Sequence, residues 1–399
     1  MTPPHMKRRG AICAGLLVLG VGLGLGPRLL RSDVVAQTRG AVQAPMFEVD
    51  PFWPKPLPNH WVLGAAVGVW VDAQDHVWMV HRGDNPNTLK GLEMKPPFSE
   101  MCCATAPLVL EFDQKGNLLR RWGPGPNDPW MDQEHGIHID HKNNVWLAGG
   151  GGADSQILKY TMDGKFVMQV GKKGARLRAG AARPINDPNS LDMETFGQPT
   201  KIVVDAKTNE AFISDGYVNH RVIVLDADSG TFKRMWGAYG NKPDDTSLGR
   251  YNPAAPPAPQ FRNPVHCSEI STDGFVYVCD RTNDRIQVFR KDGTFVKEAF
   301  VQKTTLASGS VWDIAFSKDA QQTYIYLADG SDEKVFILRR DTLEVLSSFG
   351  DGGRWPGTFF GVHSIATDSK GNIYTTETYE GKRVQRFLYK GVAAVRSQE

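Results

Sequence analysis

The sequence predicts an all-β fold, a six-bladed β-propeller. A strand, a D-x-x-G/N turn, a second strand and a charged or glycine turn recur six times along the 399 residues. This is the alternating, β-rich pattern of stacked hairpins. Three histidines also fall at one repeat position in every other copy. A closed ring of six blades brings such positions together on its axis, which an open array does not.

The first copy is VWVDAQDHVWMVHRG (69–83), with third and fourth strands in LVLEFDQKGNLLRRWG (108–123). The second is IHIDHKNNVWLAGG (137–150), continued by ILKYTMDGKFVMQVG (157–171). The third, IVVDAKTNEAFISDGYVNHRVIVLD (202–226), and the fourth, ISTDGFVYVCDRTNDRIQVF (270–289) with its continuation to 300, repeat the pattern. IAFSKDAQQTYIYLADGSDEKVFIL (314–338) and IATDSKGNIYTTETYEGKRVQRF (365–387) complete the set. Loops near 84–106, 172–197 and 240–263 lengthen the repeat beyond a minimal blade. Most of the ten tryptophans are assigned to packing between blades.

Residues 1–36 read as an export signal, and residues 37–399 as a single propeller domain. Lys7, Arg8 and Arg9 precede an apolar run from Ala11 to about Gly26, and Val34-Val35-Ala36 before Gln37 suits a signal peptidase. The run is short and glycine-rich for a membrane span, which favours a cleaved signal, and an uncleaved N-terminal anchor is the alternative. The leader carries five basic side chains and one acidic one, so its loss takes the net charge from +2 to about −2. That balance gives no basic footprint for nucleic acid. The expectation is an exported, periplasmic or secreted monomer with no nucleic-acid partner, and no membrane contact once the signal is cleaved.

In EHGIHID (134–140), NPVHCSEIS (263–271) and GVHSIATD (361–368), His135, His266 and His363 each stand five residues before the strand end. Val67, Thr200 and Trp312 hold the equivalent positions in the intervening copies. Alternate blades of a sixfold ring lie about 120° apart, so three imidazoles converge on the axis. Packing has no reason to choose a period of two. Three protein ligands with an open fourth position are the arrangement of a catalytic zinc. Manganese, iron or cobalt would fit the same donors. His81, His138 and His220 do not share the position and are left out of the site.

Residues just past the end of the second strand line the same mouth. There the sequence sets Arg82, Tyr217 and Arg281, with glycine or threonine in the other copies. A tyrosine beside a dication and two arginines loses its proton more easily and can act as a general base. An arginine fork matches a substrate carboxylate. The plainer reading of Arg82 and of Asp280-Arg281 is a turn ion pair. Cys267 and Cys279 flank the turn at Asp273 symmetrically, so they face each other across one hairpin, as a disulfide or as two packed thiols. The partners of adjacent Cys102 and Cys103 cannot be read.

HRG (81–83), HGIHID (135–140), GQPTKIVVD with ISDGYVNHRVIVLD, FRNPVHCSEI with VCDRTNDRIQVF, and VHSIATDSKGNIYTTET together resemble peptidyl-α-hydroxyglycine α-amidating lyase. The resemblance runs from EVDPFWPKP (48–56) to the last copy, and it implies an NHL-type six-bladed propeller. It implies zinc on His135, His266 and His363, a catalytic Tyr217, and active-site arginines at Arg82 and Arg281. The implied reaction cleaves a carbinolamide, R-CO-NH-CH(OH)-COOH, to an amide and glyoxylate, with a small molecule or peptide carrying an α-hydroxyglycine-like group as substrate.

Four residues, at three places, depart from that family. Ser364 follows His363 where the family has an aspartate that helps hold a structural calcium, so calcium is not expected here. Gly361-Val362 replaces a methionine-proline pair, which alters the pocket wall, and Val218 replaces a cysteine. The competing readings are a metal-dependent lactonase or other hydrolase on the same propeller, and a non-catalytic NHL-repeat binding protein.

Overall fold

A computed structural model describes residues 42–83, 103–181 and 184–395. The expected leader, residues 1–36, lies outside the described residues, as does Cys102. Six four-stranded antiparallel sheets make up the fold. Among the described residues there is no α-helix.

Each sheet is one blade, and its first strand is the innermost. The inner strands are Ala65–Val71, Glu134–Ile139, Pro199–Asp205, Val265–Ile270, Asp313–Phe316 and Val362–Thr367. Neighbouring inner strands touch in that order, and the sixth returns to the first. The ring is therefore closed. Its closure is made by the two ends of the described chain, because the fourth strand of blade six is Val42–Asp50, paired with Arg383–Val395.

The D-x-x-G/N turns form for a local reason. Asp140 Oδ1 accepts the amides of Lys142 and Asn144 at 2.9 and 2.8 Å, while Oδ2 accepts the indole N–H of Trp146 at 2.8 Å. Asp72 repeats this with Gln74, His76 and Trp78. A side-chain oxygen thus replaces the backbone partners that the turn leaves unpaired.

The core is six apolar layers between blades. Val67, Val80 and Trp78 of blade one pack with Ile137, Val145 and Leu147 of blade two. Ala366 and Tyr374 of blade six pack with Val69, Val77 and Met79 of blade one. Between blades four and five lie Cys267 and Cys279, paired in register and joined by a disulfide with Cα atoms 4.8 Å apart.

Candidate metal centre

Each histidine stands on an irregularity of its inner strand. The pairing register shifts between Val265 and Cys267, between Val362 and Ser364, and between Glu134 and Ile137. Strict alternation along a strand would send these side chains into a blade interface, and a bulge re-aims them. Blades one and three shift in the same place, around Val67 and Thr200.

Those equivalent residues supply the histidines' partners. His135 Nδ1 donates to the Thr200 carbonyl at 2.8 Å, His266 Nδ1 to the Trp312 carbonyl at 2.5 Å, and His363 Nδ1 to the Val67 carbonyl at 2.6 Å. With the proton fixed on Nδ1, each lone pair sits on Nε2. Gly136 permits one of these approaches, since a Cβ there would meet the Thr200 oxygen at 2.4 Å.

The three rings form a near-equilateral triangle, with centroids 4.9, 4.7 and 4.8 Å apart. Their donor nitrogens lie within 4.8 Å of one another. Burial pushes all three imidazoles well below their usual pKa, and the charge of Arg281 acts in the same direction on each. They are neutral near pH 7, the ligating form. His266 Nε2 is buried with no hydrogen-bond partner, a cost that a coordinated cation removes. The donor set therefore fits a divalent transition metal.

Tyr217 stands over this triangle. Its hydroxyl is 3.0 Å from His135 Nε2 and 3.5 Å from Arg281 Nη1. Gly150 makes room for its ring, because a Cβ there would lie 3.1 Å from Tyr217 Cε2. Arg281 is buried with its guanidinium 4.4 Å above the Trp312 ring and 5.7 Å from that of Tyr217. The turn-pair reading of Asp280-Arg281 does not hold, because Asp280 pairs with Arg285 at 2.7 Å and Arg281 turns to the mouth. Arg82 Nε donates to the Glu134 carbonyl at 2.9 Å. Burial lowers the Arg82 pKa, while nearby Tyr217, Glu134 and Tyr379 act to raise it.

A charged floor lies below the histidines. Lys201 Nζ is 2.6 Å from both Glu269 and Asp313, and Ser364 Oγ donates to Asp313 at 2.7 Å. Burial alone would lower the Lys201 pKa, but Asp313 and Glu269 push it up to about 12. Ser364 thus serves an ion pair rather than presenting a carboxylate beside His363.

No protein-family model matches the chain. Relatives are found by sequence. The chain is 27% identical over 326 residues to peptidyl-glycine alpha-amidating monooxygenase B of Xenopus laevis, which covers 79% of this chain and 33% of that protein. It is 26% identical over 316 residues to NHL repeat-containing protein 3 of Mus musculus, with 76% and 71% covered. A probable peptidyl-alpha-hydroxyglycine alpha-amidating lyase of Caenorhabditis elegans is 24% identical over 230 residues, with 57% and 56% covered. The chain is similar to the amidating and NHL-repeat proteins. It spans about a third of the length of the amidating monooxygenase it matches. A streptogramin B lyase structure shares the fold at 12% identity and a TM-score of 0.50, covering 86% of this chain and 98% of that one.

All six expected site residues gather at one mouth of the propeller. The histidines set aside have structural roles. His81 accepts the Gly64 amide at 3.1 Å, His138 accepts that of Val204 at 3.1 Å, and His220 donates to the Phe261 carbonyl at 2.7 Å. Sequence reasoning missed the Lys201–Asp313–Glu269 floor and the double role of Trp312, which carries Arg281 and orients His266. A second group with metal-ligating atoms, Asp72, His76 and Glu111, is taken up by the turn bonds above and by Arg120 on Glu111 at 2.6 Å.

Proposed function

We propose that this protein is a metal-dependent carbon–nitrogen lyase. Its substrate is an N-acyl-α-hydroxyglycine-type carbinolamide, and its products are an amide and glyoxylate. The observation that carries the reading is the Tyr217 hydroxyl, 3.0 Å from a donor nitrogen of the three-histidine group and 3.5 Å from Arg281. A base, a cation site and a carboxylate fork occur together in one buried mouth.

His135, His266 and His363 would hold the metal, zinc by the resemblance. When bound, a dication supplies Lewis-acid stabilisation of substrate oxygen. Tyr217, as general base, takes the proton of the carbinol hydroxyl. The O–H electron pair becomes the carbonyl of glyoxylate, the C–N bond breaks, and Tyr217 returns the proton to the departing nitrogen to give the amide. Arg281, held over Trp312, and Arg82 bind the carboxylate through charge-assisted hydrogen bonds. Atoms balance with no oxidant or reductant.

The reading includes export. It is supported by the leader at residues 1–36 and by the buried Cys267–Cys279 disulfide, which suits an oxidising compartment.

The test is glyoxylate release from N-acetyl-α-hydroxyglycine by the purified protein, before chelation, after it, and with zinc restored. Release that follows the metal supports the lyase. No release from protein with bound metal overturns it and favours a hydrolase using the same three histidines.

A further inference from the structure

The lip of blade six repeats the geometry that presents Tyr217. In blade three, Asp215 ends the second strand and pairs with Arg221 at 2.8 Å, six residues on, with Tyr217 two residues past the aspartate. In blade six, Glu377 ends the second strand and pairs with Arg383 at 2.5 Å, six residues on, with Tyr379 two residues past the glutamate. Tyr379 is thus the repeat counterpart of Tyr217.

Its surroundings differ. Tyr379 is 54% exposed, and its ring centroid lies 6.5 Å from that of Trp312, the ring on which Arg281 rests. A Cβ at Gly361 would come within 3.2 Å of Tyr379 Cδ2, so glycine two residues before His363 leaves the face of this ring clear.

Two more exposed aromatics share the lip, Phe360 at 38% and Trp355 at 80%. The Phe360 ring and the backbone around Trp355 are held in place. Arg354 Nη1 donates to the Glu380 carbonyl at 3.1 Å, and its guanidinium lies 4.5 Å over the Phe360 ring. Arg383, already bound to Glu377, also donates to the carbonyls of Arg354 and Thr358, both at 2.6 Å. The aromatic edge is therefore fixed to the turn that carries Tyr379. Exposed aromatic surface that is rigid and continuous with a polar mouth marks a place where apolar ligand surface is buried.

We infer that Tyr379, with Phe360 and Trp355, forms the specificity surface for the acyl half of the substrate, and that the protein favours aromatic or long apolar acyl groups over small ones. The inference rests on the lyase reading for its reaction and names the substrate class of the same site. A carboxylate on Arg82 and Arg281 fixes one end of an N-acyl-α-hydroxyglycine at the axis. The acyl group then leaves along the Tyr379 lip. Tyr379 is a specificity residue and takes no part in proton transfer.

The metal-loaded protein should turn over N-benzoyl-α-hydroxyglycine with a kcat/KM at least tenfold above that of N-acetyl-α-hydroxyglycine. Tyr379→Ala should bring the ratio near one by a loss of at least tenfold on the benzoyl substrate, and Tyr379→Phe should retain the preference. A ratio near one in the unaltered protein, or a ratio unmoved by Tyr379→Ala, overturns the inference. Glyoxylate from neither substrate sinks the lyase reading, and the lip is then tested by calorimetric titration with benzamide. At least fivefold weaker benzamide binding by Tyr379→Ala supports the lip. Equal binding by both proteins, or none by the unaltered one, overturns it.

Discussion

His363 in the last blade donates its Nδ1–H to the carbonyl of Val67 in the first, across 296 residues of sequence and 2.6 Å of space. The bond belongs to a set of three, each linking a histidine to the equivalent residue of the next blade. The ring thereby orients its own ligands, and their donor nitrogens face one another. Second partners of this kind fix the tautomer and strengthen a ligand's basicity.

His266→Ala should abolish tight metal binding. It removes the one Nε2 that is buried without a partner, and leaves two donors where a catalytic site uses three. Metal content after dialysis against a competing chelator should fall from near stoichiometric to background, with activity lost in parallel. Retention of both metal and turnover would remove the triad from the site.

Tyr217→Phe should separate binding from chemistry. The ring still packs at Gly150, and the histidine donors are untouched, so metal content should not change. Loss of a positioned acid–base group lowers kcat by about 10²- to 10⁴-fold. Steady-state kinetics alongside metal analysis checks both halves.

Asp329→Asn should stabilise the protein above neutral pH. Blades three, four and six pair the corresponding carboxylates with Arg221, Arg285 and Arg383. Blade five has Lys334 near that place, and it turns away to Asp351. Asp329 is left buried with Oδ2 unpartnered, and burial raises its pKa to about 9. A folded-state pKa above the unfolded one means stability is fully present below the usual 3.8 and is lost as pH rises toward about 9. Asparagine copies the protonated form and removes that loss. Melting curves should show a gain of ~3 °C or more at pH 8.5 and a smaller one at pH 5.

Replacing Cys267 and Cys279 together by alanine should cost about 2–3 kcal/mol, the amount expected for a short closed loop, here of sequence separation 12. The disulfide ties the strand that carries His266 to the strand that ends beside Arg281. Urea unfolding in the absence of reductant measures the loss directly. An unchanged midpoint would mean that packing alone holds the hairpin.

The repeat count, the histidine set and the facing cysteines were legible because each is a local pattern read at a fixed offset, and the three mouth residues because they lie at or within two residues of the end of a second strand. The bulges were not. A register shift leaves no residue signature here, since valine, threonine and histidine all stand at it, at Val67, at Thr200, and at His266 and His363. Tyr379 was hidden by counting. Arg281 stands one residue past its strand and Tyr217 two, so a single offset aligns blade six on Thr378. The Lys201 floor was hidden by distance, as its carboxylates lie on blades four and five, with Asp313 112 residues away. Trp312, which holds the histidine position in blade five, is buried. Its carbonyl and its ring face also serve the site.

The pairing of Val42 with Val395 and of Asp50 with Arg386 makes the metal centre a reporter of completion. A chain synthesised from its N-terminus makes His135 and His266 long before His363. The third donor stands on the innermost strand of the sheet whose outer edge is Val42–Asp50. A product that stops short of residue 363 can form hairpins, yet it lacks the third nitrogen of the triangle. A cation held there would report on the one sheet that the first and last described strands complete together.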